Sequence, residues 1–405
     1  MRMTMNLPRL YFGTMTFGWS QTSSYVDESV AFDMLKLFLD SSPGSDENKN
    51  QEDVLSKTIH IDTARIYAGG KTEVILGNVL AEHQKHSSAK SEIDNQGNIK
   101  LYPETLSIGT KAHPSYSVDG LSPRGIRTQL QDSLQALQLD RVGEFYLHQP
   151  DPNHPLELSL QELHSLILKN DGDNLEGSGG GGFIQTIGMS NYHASEMERA
   201  FQLCEQNNWT KPKVYQGLYN PLNRHVEKEL LPTLRDGACS FVAYNPLAGG
   251  LLTGKYTEKI KDNMANPEID NRDAVPQGRF RDNPNYLPRF YTGPNFQAIA
   301  ILQNACDNNQ ISMVEASYRW LLCHSSLGPN DGILIGASSL IQLDENLRAC
   351  WAAMEHGPLP EDILEAFDDA WTITQEAAFP YWRSYSSDMP NRDNLDPGAA
   401  YEAKK

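Results

Sequence analysis

Four side chains in this 405-residue sequence could together deliver a proton to a carbonyl oxygen. Asp62 and Tyr67 both lie in HIDTARIYAGG, Lys111 closes TLSIGTK, and His148 closes GEFYLH. A free phenol ionises at about 10 and is a poor acid–base partner near neutrality. A neighbouring ammonium stabilises the phenolate and lowers that value, and a carboxylate holds the lysine in place and charged. The imidazole can then donate to the carbonyl oxygen and orient it. Each residue also has a plain structural use. Tyr67 could be a half-buried loop tyrosine, and Lys111 a snorkelling surface lysine. His148 could be a hydrogen-bonded structural histidine and Asp62 a helix cap. The chemical reading gains weight only because all four stand, in order, at the ends of strand-like runs.

Those runs are short and rich in apolar, β-branched or aromatic residues: LYFGTMTF, TIHIDTA, TLSIGTK, GEFYLHQP, FIQTIGMS, KVYQGLYN, CSFVAYNPL and GILIGAS. Helical spacing fills the intervals. Ile126, Leu130, Leu134 and Leu137 share a face after a Ser122–Pro123 start, and Met197, Phe201 and Cys204 repeat the pattern. So do Val314, Tyr318 and Leu322, then Leu340, Leu343 and Leu347. Strand–helix alternation implies parallel strands with helical crossovers, and eight such units predict an α/β fold, a (β/α)8 TIM barrel. Side chains capable of chemistry gather near the C-terminal ends of the runs: Asp62, Lys111, His148, Ser190, Asn191, Gln216, Tyr244, Asn245 and Ser338. In a barrel those ends share one face. Polar stretches at 41–57, 86–100 and 169–182 read as loop insertions, and GSGGGG within the last precedes a strand, as a linker does. The expected organisation is one domain over 8–385 and a loosely held tail over 386–405.

Composition narrows the function classes. Lys and Arg total 34 against 52 Asp and Glu, a formal net charge of −18, which disfavours a nucleic-acid-binding surface. Five scattered cysteines without a CxxC pair read as reduced thiols of an intracellular protein. No apolar run approaches the roughly 18 residues of a membrane span, and the N-terminus lacks a signal-peptide pattern. A cytoplasmic location and no membrane partner are therefore expected.

The sequence resembles the aldo-keto reductases, in particular their aflatoxin-aldehyde reductase branch, from about Leu10 to Tyr385. The matching pieces are GTMTFG (13–18), DTARIYAGGKTEVILG (62–77), GTKAHP (109–114), FYLHQPD (145–151), IGMSNY (187–192), VYQGLYNPLNR (214–224), AYNPLAGGLLTGKY (243–256), GRF (278–280) and IGASSLIQLDENL (335–347). The resemblance implies a (β/α)8 enzyme that binds NADPH without a Rossmann fold, and no GxGxxG follows a strand here. It implies Tyr67 as proton donor, Lys111 as the group that lowers its pKa, Asp62 as partner of Lys111, and His148 as the group that positions the substrate oxygen. It further implies Ser190, Asn191 and Gln216 around the carboxamide and the Tyr244 ring against the nicotinamide. Asn245, Pro246, Leu247, Gly249, Gly250, Gly254 and Lys255 would wrap the pyrophosphate. Gly336, Ser338, Ser339, Gln342 and Asn346 would clamp the adenosine phosphate at a helix start. Lys255 and Arg279 are the candidates for its charge. In related enzymes a loop after strand seven and the C-terminal segment finish the substrate pocket, which here points to Tyr286, Arg289, Tyr381 and Arg383. Two arginines near a carbonyl pocket could bind a carboxylate. A homodimer is expected by analogy with the branch.

The leading expectation is NADPH-dependent reduction of a small-molecule aldehyde or dicarbonyl. The alternative is a cofactor-binding regulatory subunit similar to the potassium-channel β-subunits, which the four intact catalytic positions disfavour. A metal-dependent barrel hydrolase would want HxH after the first strand, where Gly13–Thr14 stands.

Overall fold

Inward and outward residues alternate along each strand, and this alternation builds two cores. In the computed structural model, residues 7–20, 22, 24–41, 58–90, 106–168, 182–256, 280 and 286–399 are described. The strands are β1 (Arg9–Gly13), β2 (Ile59–Asp62), β3 (Leu106–Ala112), β4 (Val142–Leu147), β5 (Ile184–Ser190), β6 (Val214–Leu218), β7 (Ser240–Tyr244) and β8 (Gly332–Gly336). They follow one another in sequence order, all parallel, and close into a barrel where β8 pairs with β1 from Arg9↔Gly332 to Gly13↔Gly336. The predicted (β/α)8 barrel is therefore the fold. Outward residues such as Phe12, Ile61, Ile108, Phe145, Ile187 and Ile333 join the large core beneath the surrounding helices. A second, small cluster of Tyr11, Tyr146, Val214, Val242 and Leu334 fills the barrel itself.

The helices follow the predicted faces. Helix Pro123–Leu137 starts where the Ser122 hydroxyl accepts the Gly125 N–H, with Pro at its first position, and buries Ile126, Leu130 and Leu137. Helix Ala194–Gln206 buries Met197, Phe201 and Cys204, and helix Met313–Cys323 buries Tyr318 and Leu322. All five cysteines are free thiols. Among the described residues no helix is long and apolar enough to cross a membrane.

Within the expected tail, residues 386–399 make specific contacts with the barrel. The Ser386 N–H donates to Glu196 Oε1 at 2.9 Å, and Asp388 accepts the Leu156 N–H at 2.8 Å while pairing with Arg199. Arg392 donates to the Pro152 carbonyl, and the Ala399 N–H donates to the Trp382 carbonyl. The partners of this stretch are the Glu196 and Arg199 side chains, a helix start and backbone carbonyls, which leave no apolar period in the sequence. Helix Lys71–Lys90 runs into the expected insertion at 86–100, so the first five residues of that insertion are helical and not loop; the rest of it, and nearly all of 41–57 and 169–182, lie outside the described residues.

Candidate active site

The register of the barrel places Lys111 beside Asp62. Asp62 pairs with Gly109 and Lys111 with Tyr146, so both charged side chains point inward at the C-terminal ends of their strands. Lys111 Nζ donates to both Asp62 oxygens, at 2.6 and 2.7 Å, and to the Thr63 carbonyl at 2.7 Å. Lys111 is fully buried and Asp62 nearly so. Burial lowers the lysine and raises the aspartate, and the close pair offsets part of each shift. Lys111 is therefore neither a snorkelling lysine nor Asp62 a helix cap.

Tyr67 sits on the turn after β2, with its ring centroid 5.3 Å from Lys111 Nζ. The His148 ring meets it edge to face, 5.7 Å between centroids. The four groups thus share one pocket. Burial first, and then the Asp62 charge, pushes the Tyr67 phenol well above its ordinary value. This differs from the expected lowering by Lys111: desolvation and the Asp62 carboxylate dominate, and the opposing charge is that of Arg383, so the phenol is held protonated, the state a donor needs. His148 is kept well below its usual range by burial and by the adjoining His113, Lys111 and Arg383, so it stands neutral. Its Nδ1 is buried and has no hydrogen-bond partner among the described residues.

Around this centre, the candidate dinucleotide residues are close to one another but partly engaged. Asn191, in the left-handed region at φ 63°, donates to the His148 carbonyl at 2.8 Å and to Ser190 Oγ, and accepts the Tyr244 hydroxyl at 2.7 Å. Gln216 donates its amide to Asp62 Oδ1 at 2.8 Å, so part of its role is to hold the carboxylate. After β7, Asn245, Pro246 and Leu247 lead into a turn where Gly249 and Gly250 have φ of 70° and 106°. A Cβ added at Gly250, or at Gly336 beyond β8, would meet nothing within 4 Å, so the backbone is open to close approach there. Gly254 is also left-handed, and Lys255 is exposed. Ser339 caps helix Leu340–His356, accepting the Gln342 N–H, while Ser338 donates to Gln342 Oε1 and Asn346 donates to the Gly336 carbonyl. Open glycines, a cationic side chain and a capped helix start fit an extended phosphorylated dinucleotide. Arg279 lies outside the described residues.

The candidate substrate residues divide. Arg289 is buried, with its guanidinium 4.3 Å from the Phe379 ring and 6.0 Å from that of Tyr286. Burial, then the charge of Arg383, lowers it to about 10, so the two guanidinium groups feel one another. Arg383 also acts on Tyr67, and Tyr286 does too. Tyr381 is turned elsewhere: its ring stacks on His193 and its hydroxyl accepts the Ala194 N–H at 3.2 Å. Sequence reasoning missed His113 and Gln149. His113 packs against His148 with centroids 5.1 Å apart, and Gln149 Oε1 accepts from Arg383. Their only signal was adjacency to Lys111 and His148.

The profile of the aldo/keto reductase family matches residues 9–371. Similar proteins include aflatoxin B1 aldehyde reductase member 2 of Mus musculus, 38% identical over 80% of this chain and 79% of its own length. Aldo-keto reductase family 7 member A3 of Homo sapiens is 37% identical over 80% of this chain and 87% of its own. Aflatoxin B1 aldehyde reductase member 4 of Homo sapiens is 38% identical over 77% and 84%. A closed eight-stranded barrel and a family match across most of the chain lead to one conclusion: this protein belongs to the aldo/keto reductase family and is an oxidoreductase.

Proposed function

We propose that the protein reduces aldehydes and dicarbonyls to alcohols with NADPH, Tyr67 delivering the proton. The observation that carries this reading is the convergence of Tyr67 and His148, both half-buried, on the buried Asp62–Lys111 pair at the C-terminal face. When bound, the dinucleotide supplies the hydride; its own chemistry does that, and the protein contributes orientation and electrostatics. Ser190, Asn191 and Tyr244 would hold its nicotinamide end, the 245–255 turn its pyrophosphate, and Lys255 with the Ser338–Asn346 helix start its adenosine phosphate.

Neutral His148 can donate a hydrogen bond to the substrate oxygen and fix it beside the Tyr67 hydroxyl. As negative charge develops on that oxygen, Tyr67 Oη gives up its proton. Lys111 then faces the resulting phenolate, whose charge it stabilises, while Asp62 keeps Lys111 charged against the cost of burial. Positioned acids of this kind contribute about 10²–10⁴ in rate.

Arg289 and Arg383 favour a substrate with an anionic end, such as a semialdehyde. Arg383 acts on both Arg289 and Tyr67, which ties the two guanidinium groups to the reacting centre. Loss of NADPH absorbance against a carbonyl panel, repeated with Tyr67→Phe, tests the proposal. The expected loss in Tyr67→Phe is about 10²-fold or more with NADPH binding intact. Full activity in that variant would discard Tyr67 as donor.

A further inference from the structure

Beneath the Asp62–Lys111 pair, the barrel interior contains a polar cluster that the reaction as described leaves unused. Glu144 lies on β4 one inward position below Tyr146, and pairs with Gly109, which is one inward position below Lys111. Two residues along a strand span about 6.6 Å, so Glu144 sits one layer below the ammonium. Its two oxygens are fully engaged. Oε1 accepts the Tyr11 hydroxyl at 3.1 Å and lies 3.2 Å from His60 Nδ1, while Oε2 accepts the Tyr146 hydroxyl at 2.5 Å. Each carboxyl oxygen thus accepts from one phenol. The Tyr146 ring links the two, its centroid 5.5 Å from Lys111 Nζ and its hydroxyl on Glu144. The His60 ring stacks on Tyr11, with centroids 4.4 Å apart.

Room for this cluster is made by glycines at inward positions of the neighbouring strands. A Cβ at Gly188 would lie 2.3 Å from the Tyr146 ring, and one at Gly332 would lie 2.5 Å from that of Tyr11. At Gly109 a Cβ would come within 3.2 Å of Glu144 Oε2. An interior needing only to be filled would use apolar side chains, because a buried carboxylate carries a desolvation cost that packing does not require.

We propose that Glu144 is a positioning residue for the reaction: a second buried carboxylate, clamped by Tyr11 and Tyr146, that supports the Lys111 ammonium from below while Asp62 grips it from the side. The proposal rests on the reading of Lys111 as the group that serves Tyr67. The charged and titratable groups facing Glu144 are Tyr11 on β1, with Arg9 acting on that phenol, His60 and Asp62 on β2, Lys111 on β3 and Tyr146 on β4. Glu144 favours the protonated forms of Lys111, Asp62, Tyr11 and Tyr146. Removing its charge makes Lys111 easier to deprotonate. The basic limb of the rate profile, where the ammonium is lost, therefore moves to lower pH.

The test compares kcat against pH for wild type, Glu144→Gln and Tyr11→Phe, with NADPH affinity from its fluorescence and Tm measured without cofactor. In Glu144→Gln the basic limb is expected about one pH unit lower, with kcat down about tenfold at the alkaline end and NADPH affinity within about twofold. Tyr11→Phe, which removes a hydrogen bond and keeps the charge, should leave the limb in place even where Tm falls. A limb unmoved in folded Glu144→Gln, or moved equally in Tyr11→Phe, overturns the proposal. Should Glu144→Gln fail to fold, Glu144→Asp takes its place: the withdrawn carboxylate moves the limb the same way by a smaller step, and an unmoved limb is again decisive. Tyr67→Phe run alongside separates the two ideas. Turnover surviving there removes the proton-donor reading, whereas turnover lost there with an unmoved Glu144→Gln limb removes this proposal alone.

Discussion

Replacing Lys111 by methionine would leave the Asp62 carboxylate buried with Gln216 as its remaining side-chain donor, at 2.8 Å. The lost contacts are two short charge-assisted bonds of 2.6 and 2.7 Å from a lysine with no exposed surface. Removing one partner of a buried ion pair costs about 3–5 kcal/mol, because the other charge stays desolvated. Asp62→Leu strands the ammonium in the same way, with the Thr63 carbonyl as its one remaining hydrogen-bond acceptor among the described residues. The double variant has no charge to strand and is expected to be more stable than the two single costs would sum to, by about 3 kcal/mol. Turnover behaves differently. All three variants lack a charged Lys111 seated beside Tyr67, so each should fall by about 10²–10⁴. Urea unfolding at neutral pH reads the first quantity and NADPH oxidation the second. Single-variant costs that simply add in the double variant would refute the reasoning about stability. Recovery of turnover together with stability would refute the reasoning about function.

Three further outcomes follow from the same geometry. Burial and Arg383 hold His113 at about 4, against 6.5 for a free imidazole, so below pH 6.5 the unfolded chain takes up a proton that the folded one refuses. Stability attributable to His113 should therefore fall by about 3 kcal/mol as pH drops from 6.5 to 4, and urea midpoints of His113→Asn should decline less over that window. For Arg383→Ala, the kcat/KM ratio of succinic semialdehyde to butyraldehyde should drop about tenfold or more, and an unchanged ratio rejects carboxylate recognition. Lys255→Ala should weaken NADPH by about 10- to 100-fold with little effect on NADH, read by fluorescence titration; equal losses would remove its assignment to the adenosine phosphate.

Much of the centre was legible because its residues stand at strand ends, a position that local pattern reveals. Asp62, Lys111 and His148 each close an apolar run, and Tyr67 follows on the next turn, so a barrel of eight runs had to bring them to one rim. The cluster below them was not legible. Glu144 reads as a charge inside GEFYL, and whether it points inward depends on register against β3 and β5, which a single run does not encode. Its hydrogen-bond partner Tyr11 lies 133 positions away. Tyr381 and Arg383 stand two residues apart on one short segment, yet one is taken up by His193 and Ala194 while the other influences Tyr67.

By itself, then, the sequence determined the alternation of strands and helices, the order of the reactive groups and the polarity of each strand end, since these rest on periodicity and residue type over a few neighbours. Closure of the barrel decided the rest. It set which side chains lost their water, which charges became partners and which acids moved away from their ordinary strength. Tyr67 shows the division: its identity and place were readable in DTARIY, but the phenol rises rather than falls because burial, a property of the whole fold, and the Asp62 charge act on it together.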